Sequence, residues 1–430
     1  MRTWHTLAAV IILGAVLTTL TACEEKPLLS DVSFSADVIT PNADKDADVL
    51  VITYNLNRSA NVSIYFEDTK GNRYYFRQQA YRGPSVEAPY QVLFAGVVDG
   101  YVSPSEKEDF EGFIVEKRVL QNGEYTWVVE ATDLEGITRR RSNTLTVADA
   151  DTALPELRGF SLYPSVFTPN RDGIDDRVTI NVNLKKDVEE LTVYLKGDDG
   201  VRHHVEWKEK LTPLNEAGWH EFDYDAGVDY GADPPPDGVY TVTMQARDAV
   251  GQWTRTTGRL TIKQGGVPRA YILNGEVDWS GGGGPEVSIP LNGTLYFTLT
   301  VENDSVVPIR TSGPPPGAVY TSTENYATLD EYVQSGVFRV GLHCETSPID
   351  HPWRWAVGRP DDLVEITKNG ETHFYLPAGE RAIVTGGVRF VDVVEARNPQ
   401  YCYASLLHED VEISMVNFQV DPVRLRIQAP

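Results

Sequence analysis

The sequence predicts an all-β chain of three tandem β-sandwich domains behind an N-terminal export leader. Three observations carry this. Thr40-Pro41-Asn42-Ala43-Asp44 returns as Thr168-Pro169-Asn170-Arg171-Asp172, an offset of 128, and each copy runs into a β-rich stretch, Val49 to Leu56 and Val178 to Leu184. A repeat at that spacing marks two copies of one domain. Strand-length alternating runs separated by turn residues fill both copies, without helical periodicity. The 35 Gly and 26 Pro supply the many turns such a fold needs.

A chain of 430 residues is too long for one core. The N-terminus reads as a leader over residues 1–22, with Arg2 before an uncharged apolar run, Leu7 to Leu20, and the small residues Thr21-Ala22 ahead of Cys23. That run is short for a membrane span, which takes about 20 apolar residues. Leu20-Thr21-Ala22-Cys23 resembles the lipobox of bacterial lipoproteins. The resemblance implies that Cys23 is lipidated, that residues 23–29 form a tether, and that the mature protein sits in the cell envelope, anchored to a membrane on its extracytoplasmic side. Several acyl chains anchor durably, each buried methylene contributing about 0.8 kcal/mol.

Loss of Arg2 with the leader takes the formal charge from -24 to -25. Such a surface repels nucleic acid, and Arg139-Arg140-Arg141 is a single local cluster at a hairpin. With Cys23 modified, Cys344 and Cys402 remain in one exported domain and are expected to pair, two free buried thiols being the alternative.

The first module is expected over residues 30–150. Strands are read at Val49 to Leu56, Asn61 to Glu67, Arg73 to Gln78, Tyr90 to Phe94, Glu124 to Ala131 and Asn143 to Val147, and the charged segment Asp99 to Lys117 reads as a surface loop. The second module, 154–264, repeats the set from Val178 to Leu184 through Arg259 to Ile262. Each module closes on the same signature, Asn122-Gly123-Glu124-Tyr125-Thr126 and Asp237-Gly238-Val239-Tyr240-Thr241, with Asp133 and Asp248 eight residues past the Tyr. Thr-Pro-Asn-x-Asp at the start and Gly-x-Tyr-Thr at the end resemble the Ig-like domain of flagellar hook-capping proteins, which recurs in tandem on bacterial surface proteins. The second copy follows that pattern with Gly173, where the first has Lys45. The resemblance implies Ig-like sandwiches serving as extracellular spacers and brings no catalytic residues. The third region, 268–430, reads as a sandwich of another design with long loops and lacks the signature.

Two groups of residues are candidates for binding. Asp44, Asp46 and Asp48 in the first copy, and Asn170, Asp172, Asp175 and Asp176 in the second, crowd oxygen-bearing side chains into short loops. Ca²⁺ takes about six to eight oxygen ligands in irregular geometry, so structural Ca²⁺ is one expectation. Asx turns leading into a strand are the other. An EF-hand is excluded, since Val49 stands where its Gly and Asn55 where its Glu would be. In the third region Trp353 and Trp355, with Tyr320 and Tyr326 in nearby loops, form a candidate ligand platform. Alternate residues on one strand share a face, so a core position is the competing reading.

No Gly-x-Ser-x-Gly, Walker loop or His-Glu-x-x-His occurs. The sequence therefore reads as a non-catalytic envelope lipoprotein whose spacer modules present a distal β-domain to a glycan or protein partner. A subunit of an envelope assembly is the alternative, and a surface hydrolase is the third reading.

Overall fold

The structure, a computed structural model, describes residues 26–103, 106–207, 213–281 and 286–428. The leader, Cys23 and the first residues of the tether lie outside them. Among the described residues there is no α-helix, only strands and short 3-10 turns. No helix there is long and apolar enough to cross a membrane. The chain forms two compact units: one holds the chain to Pro155 with Lys186–Glu189 and Ala246–Thr254, and the other holds Glu156–Lys185, Glu190–Gln245 and Arg255–Pro430.

In the first unit, Leu29–Phe34, Leu50–Leu56 and Tyr90–Phe94 make a three-stranded sheet. A second sheet carries Ala60–Asp68 between Arg73–Arg82 and Gly123–Asp133, with Thr138–Val147 beyond. Period-2 burial decides the faces. Leu50, Ile52, Tyr54 and Leu56 point inward and meet Val62, Ile64, Phe66, Trp127 and Val129 in one core. The segment expected as a loop after Asp99 contains a strand, Ile114–Val119, paired with Val97–Asp99. Its charges misled the sequence reading, because Arg118 is buried in a bidentate pair with Glu106 at 2.8 and 2.9 Å.

The second unit repeats the three-stranded sheet with Leu157–Tyr163, Val178–Leu184 and Gly218–Tyr224. Even the irregularity repeats, since the first strand of each copy shifts register between Ser30 and Ser33 and between Arg158 and Ser161. That bulge breaks the alternation and hid both strands from the sequence reading. Opposite lie Glu190–Lys196, Gly238–Arg247 and Trp253–Ile262. The closing signature is a tyrosine corner in both copies: Tyr125 Oη donates to the Gln121 carbonyl at 2.9 Å and Tyr240 Oη to the Pro236 carbonyl at 2.7 Å. Asp133 and Asp248 each brace the following hairpin, accepting from the backbone N–H of Ile137 at 2.7 Å and of Gln252 at 2.8 Å.

The rest of the second unit is a further pair of sheets, one built on Thr294–Asn303 and Arg381–Arg389, the other on Phe338–Cys344, Gln400–His408 and Val420–Gln428. They share one core that includes Phe297, Trp353, Trp355, Leu342 and Leu425. Cys344 and Cys402 face each other across two antiparallel strands and are joined by a disulfide.

Candidate functional site

The two acidic loops share one backbone scheme. In the first, Asp48 Oδ1 accepts from the N–H groups of Asn42 and Ala43 at 3.0 and 2.9 Å, and Oδ2 from Lys45 at 2.6 Å. Asn42 Oδ1 accepts from Asp44 N, and Thr40 Oγ1 donates to the Asp46 carbonyl. In the second, Asp176 accepts from Asn170 N at 3.0 Å and Gly173 N at 2.6 Å, Asn170 Oδ1 from Asp172 N, and Thr168 Oγ1 donates to the Ile174 carbonyl. Asp44, Asp48, Asn170, Asp172 and Asp176, five of the side chains expected as metal ligands, thus satisfy backbone donors in a double Asx turn. Among the described residues no group of three or more His, Cys, Asp and Glu is arranged to hold a metal ion. The carboxylates of Asp48, Asp172 and Asp176 already have backbone N–H, lysine or tyrosine partners.

What differs between the copies is their surroundings. Asp44 and Asp46 are exposed, whereas Asn170 and Asp172 are only 1% and 2% exposed. Lys368 Nζ reaches Asp172 Oδ2 at 2.6 Å and Thr168 Oγ1 at 3.3 Å, and Tyr375 Oη donates to the same Asp172 oxygen at 2.9 Å. Arg310 donates to the Asp172 carbonyl, Asn369 to Asp175 Oδ2, and Arg171 pairs with Glu412 at 3.2 Å. An ammonium from the third sandwich thus pairs with Asp172, one of the four residues expected as ligands. Gly173 and Gly336 allow this approach. A Cβ on Gly173 would stand 2.1 Å from the Ser335 carbonyl oxygen, and one on Gly336 2.1 Å from the Asp172 carbonyl carbon. This accounts for glycine in the second loop where the exposed first loop carries Lys45.

Burial and the nearby Asp172 charge raise the Asp176 carboxyl to about 6. Backbone N–H bonds, that of Asn42 first, hold half-buried Asp48 below the usual range. His408 packs flat on Phe338, with ring centroids 4.1 Å apart, and its Nε2–H donates to the Arg171 carbonyl at 2.8 Å. Burial pushes it down to about 4. A histidine depressed on folding contributes stability that is whole above the ordinary value of about 6.5 and is lost as pH falls toward 4. The stability advantage of the wild type over His408→Gln should therefore shrink on acidification from pH 7 to 4, by about 3 kcal/mol at most. Urea titrations of both proteins across that range measure it.

Beside the loop a cleft of about 700 Å³ opens, lined by Tyr163, Arg171, Asp175, Arg177, Asp229 and Asp410 among others. The ligand platform expected in the third region requires correction. Trp353, Trp355 and Tyr320 are 3%, 0% and 1% exposed. Their polar atoms are spent internally: Trp353 Nε1 donates to the Glu324 carbonyl, Trp355 Nε1 to Ala318 and Tyr320 Oη to Arg354. Tyr326 is half-buried under the Arg354 guanidinium, 4.0 Å from its ring centroid. Trp353 and Trp355 are core because the Trp353–Ala356 strand is covered on both faces. Glu409 lies behind it, accepting from Arg354 at 2.8 Å, Arg339 at 3.1 Å and Gln334 N at 2.8 Å. The sequence reading missed this knot and the Lys368–Asp172 pair. Arg339 standing inside the apolar run Val337 to Leu342 was the one local sign of the former.

No family model matches the chain, and no curated protein does. Solved structures that align include a Ca²⁺-stabilized, ice-binding adhesin of an Antarctic bacterium, at 14% identity over 89% of this chain and 83% of that one, with a TM-score of 0.21. A tetra-tandem repeat from the extending region of a large adhesion protein aligns at 10% identity over 87% and 80%, TM-score 0.16. The Bacteroides ovatus mixed-linkage glucan utilization protein SGBP-B aligns at 11% identity over 93% and 67%, TM-score 0.16. At these scores the alignments carry no functional argument.

Proposed function

We propose that this chain is a non-catalytic cell-envelope lipoprotein, acylated at Cys23, whose Ig-like modules hold β-domains out from the membrane for adhesion to a glycan or protein. The observation that supports it is the Asp172–Lys368–Tyr375 contact. It clamps the second module to the third sandwich, as a presenting arm requires and a flexible linker would not provide. The arrangement sits behind a stretch that resembles a lipobox, and a buried charged cluster of the third sandwich, Glu409 between Arg339 and Arg354, is closed by its own hydrogen bonds. Its oxygens are engaged, which leaves it poorly placed for acid–base work.

The anchor is tested by membrane fractionation of cells making the full chain with or without Cys23→Ser. The wild type is expected in the membrane fraction and the variant in the soluble one. Equal partition of both would overturn the lipoprotein reading. The assembly reading draws support from Met415, Val416 and Phe418, which are 96%, 64% and 47% exposed in one short segment. Replacing all three by Ser should leave glycan or cell binding intact if adhesion is the role, and should release a co-purifying subunit if assembly is.

A further inference from the structure

The outer face of the sheet formed by Leu157–Tyr163, Val178–Leu184 and Gly218–Tyr224 presents three rows of paired side chains. Register places Arg158, Asn183 and Trp219 in one row, Ser161, Asn181 and Glu221 in the next, and Tyr163, Thr179 and Asp223 in the third. Trp219 is 63% exposed and Tyr163 79%. Neither is needed to fill the core, because the inward set of the same strands, Ile180, Val182 and Phe222 among them, already does so.

The indole does not stand away from the sheet. Its six-membered edge lies over Gly159, where a Cβ would be 3.0 Å from Trp219 Cη2. Gly159 has φ +60 at the bulge of its strand, so the missing side chain and the left-handed backbone together make the seat. The ring edge at Cη2 and Cζ3 meets the strand at Gly159, and most of the residue stays exposed. An exposed indole braced at its edge is a side chain on which a pyranose ring can stack, its axial C–H groups against the π system.

The duplicated module supplies an internal control. The equivalent sheet of the first copy has the same strand order, the same bulge and apolar residues at the same inward positions. By register its rows are Ser30, Asn55 and Pro89, then Ser33, Thr53 and Gln91, then Ser35, Val51 and Leu93. The seat itself is filled there, since Asp31 stands in place of Gly159 and accepts from Asn55 Nδ2 at 2.9 Å. The fold is built without the aromatics, so Trp219, Tyr163 and Gly159 are additions to it.

We infer that this face of the second module, with Trp219 and Tyr163 as stacking platforms and Asn181 and Asn183 between them, binds an uncharged glycan chain. The inference rests on the adhesive reading above and places its recognition surface. From strand spacing and rise the two rings stand roughly 16 Å apart across the face, a span of several sugar rings. Amide and hydroxyl groups between them match sugar hydroxyls as donors and acceptors. A protein partner fits less well, because an interface of that kind centres on a contiguous apolar cluster and here polar rows separate the two aromatics. An anionic glycan is disfavoured by the formal charge of -24 and by Glu221 and Asp223 on the face. At the Tyr163 end the face continues into the cleft of about 700 Å³ that Tyr163 itself lines.

The test is calorimetric titration of the soluble mature chain with cellohexaose, xylohexaose and chitohexaose. Binding of at least one is expected, weakened about tenfold or more by Trp219→Ala and by less by Tyr163→Ala. Leu93→Ala, on the matching face of the first module, should bind as the wild type does. If Trp219→Ala does not fold, Tyr163→Ala decides. A hexasaccharide that binds both variants as tightly as the wild type overturns this site and leaves the adhesive reading standing. No binding of any of the three overturns the glycan face and leaves that reading only its protein partner.

Discussion

Asp172→Ala is expected to destabilise the second unit by about 3–5 kcal/mol, because it leaves a buried ammonium and a buried phenol without their acceptor. Lys368 and Asp172 have side chains 9% and 2% exposed, so solvent screens little of the loss. Asp44→Ala, at the matching place in the exposed first loop, should stay within about 0.5 kcal/mol. The double variant Asp172→Ala with Lys368→Met should recover much of the loss, since a buried pair replaced by apolar groups is often close to neutral. Urea denaturation followed by tryptophan fluorescence separates these outcomes. An Asp172→Ala protein as stable as Asp44→Ala would show that the ion pair does not hold the junction. The same geometry expects melts in excess Ca²⁺ and in chelator to coincide. A ligand at a hundredfold excess over its Kd would add about 2.7 kcal/mol and a rise of several degrees.

The architecture was legible where local pattern and tertiary role coincide. The repeat, its closing Gly-x-Tyr-Thr signatures and the central strands of each sheet follow from period-2 alternation and turn chemistry, which depend on neighbours a few residues away. Among the strands that escaped, Leu29–Phe34, Leu157–Tyr163 and Ile114–Val119 are ones where a bulge or a buried arginine breaks the alternation. The loop around Asp172 shows a deeper limit. Carboxylates at alternate positions read the same whether they wrap an ion or receive a lysine, and the partners that decide between these, Lys368 and Tyr375, lie some two hundred residues downstream. Trp353 and Trp355 carried the opposite ambiguity. Alternate spacing places them on one face, but only pairing with Phe338–Cys344 and cover from the opposing sheet make that face interior. Trp219 went unremarked for the same reason: its exposure is a property of the sheet, and its neighbours Gly159 and Asn183 come from two other strands.

Removing the Cys344–Cys402 bond by replacing both residues with Ala is expected to cost about 4 kcal/mol in the chain-entropy model. The loop it closes spans a separation of 58 residues, and it ties neighbouring strands whose ladder already sets the register, so the effect falls mainly on the unfolded chain. For a body of this size that corresponds to a fall in Tm of roughly ten degrees. Both cysteines are fully buried, and their side chains touch the core that contains Leu425 and Val423. A reductant should therefore act on the native protein only as fast as that core opens, and at once on the protein in urea. Following thiol release with a chromogenic reagent, with and without denaturant, measures both. Rapid release from the native protein would show that this edge of the third sandwich opens independently of the rest. Slow release together with the Tm loss would show a bond that stays closed in the native protein and keeps the third sandwich folded.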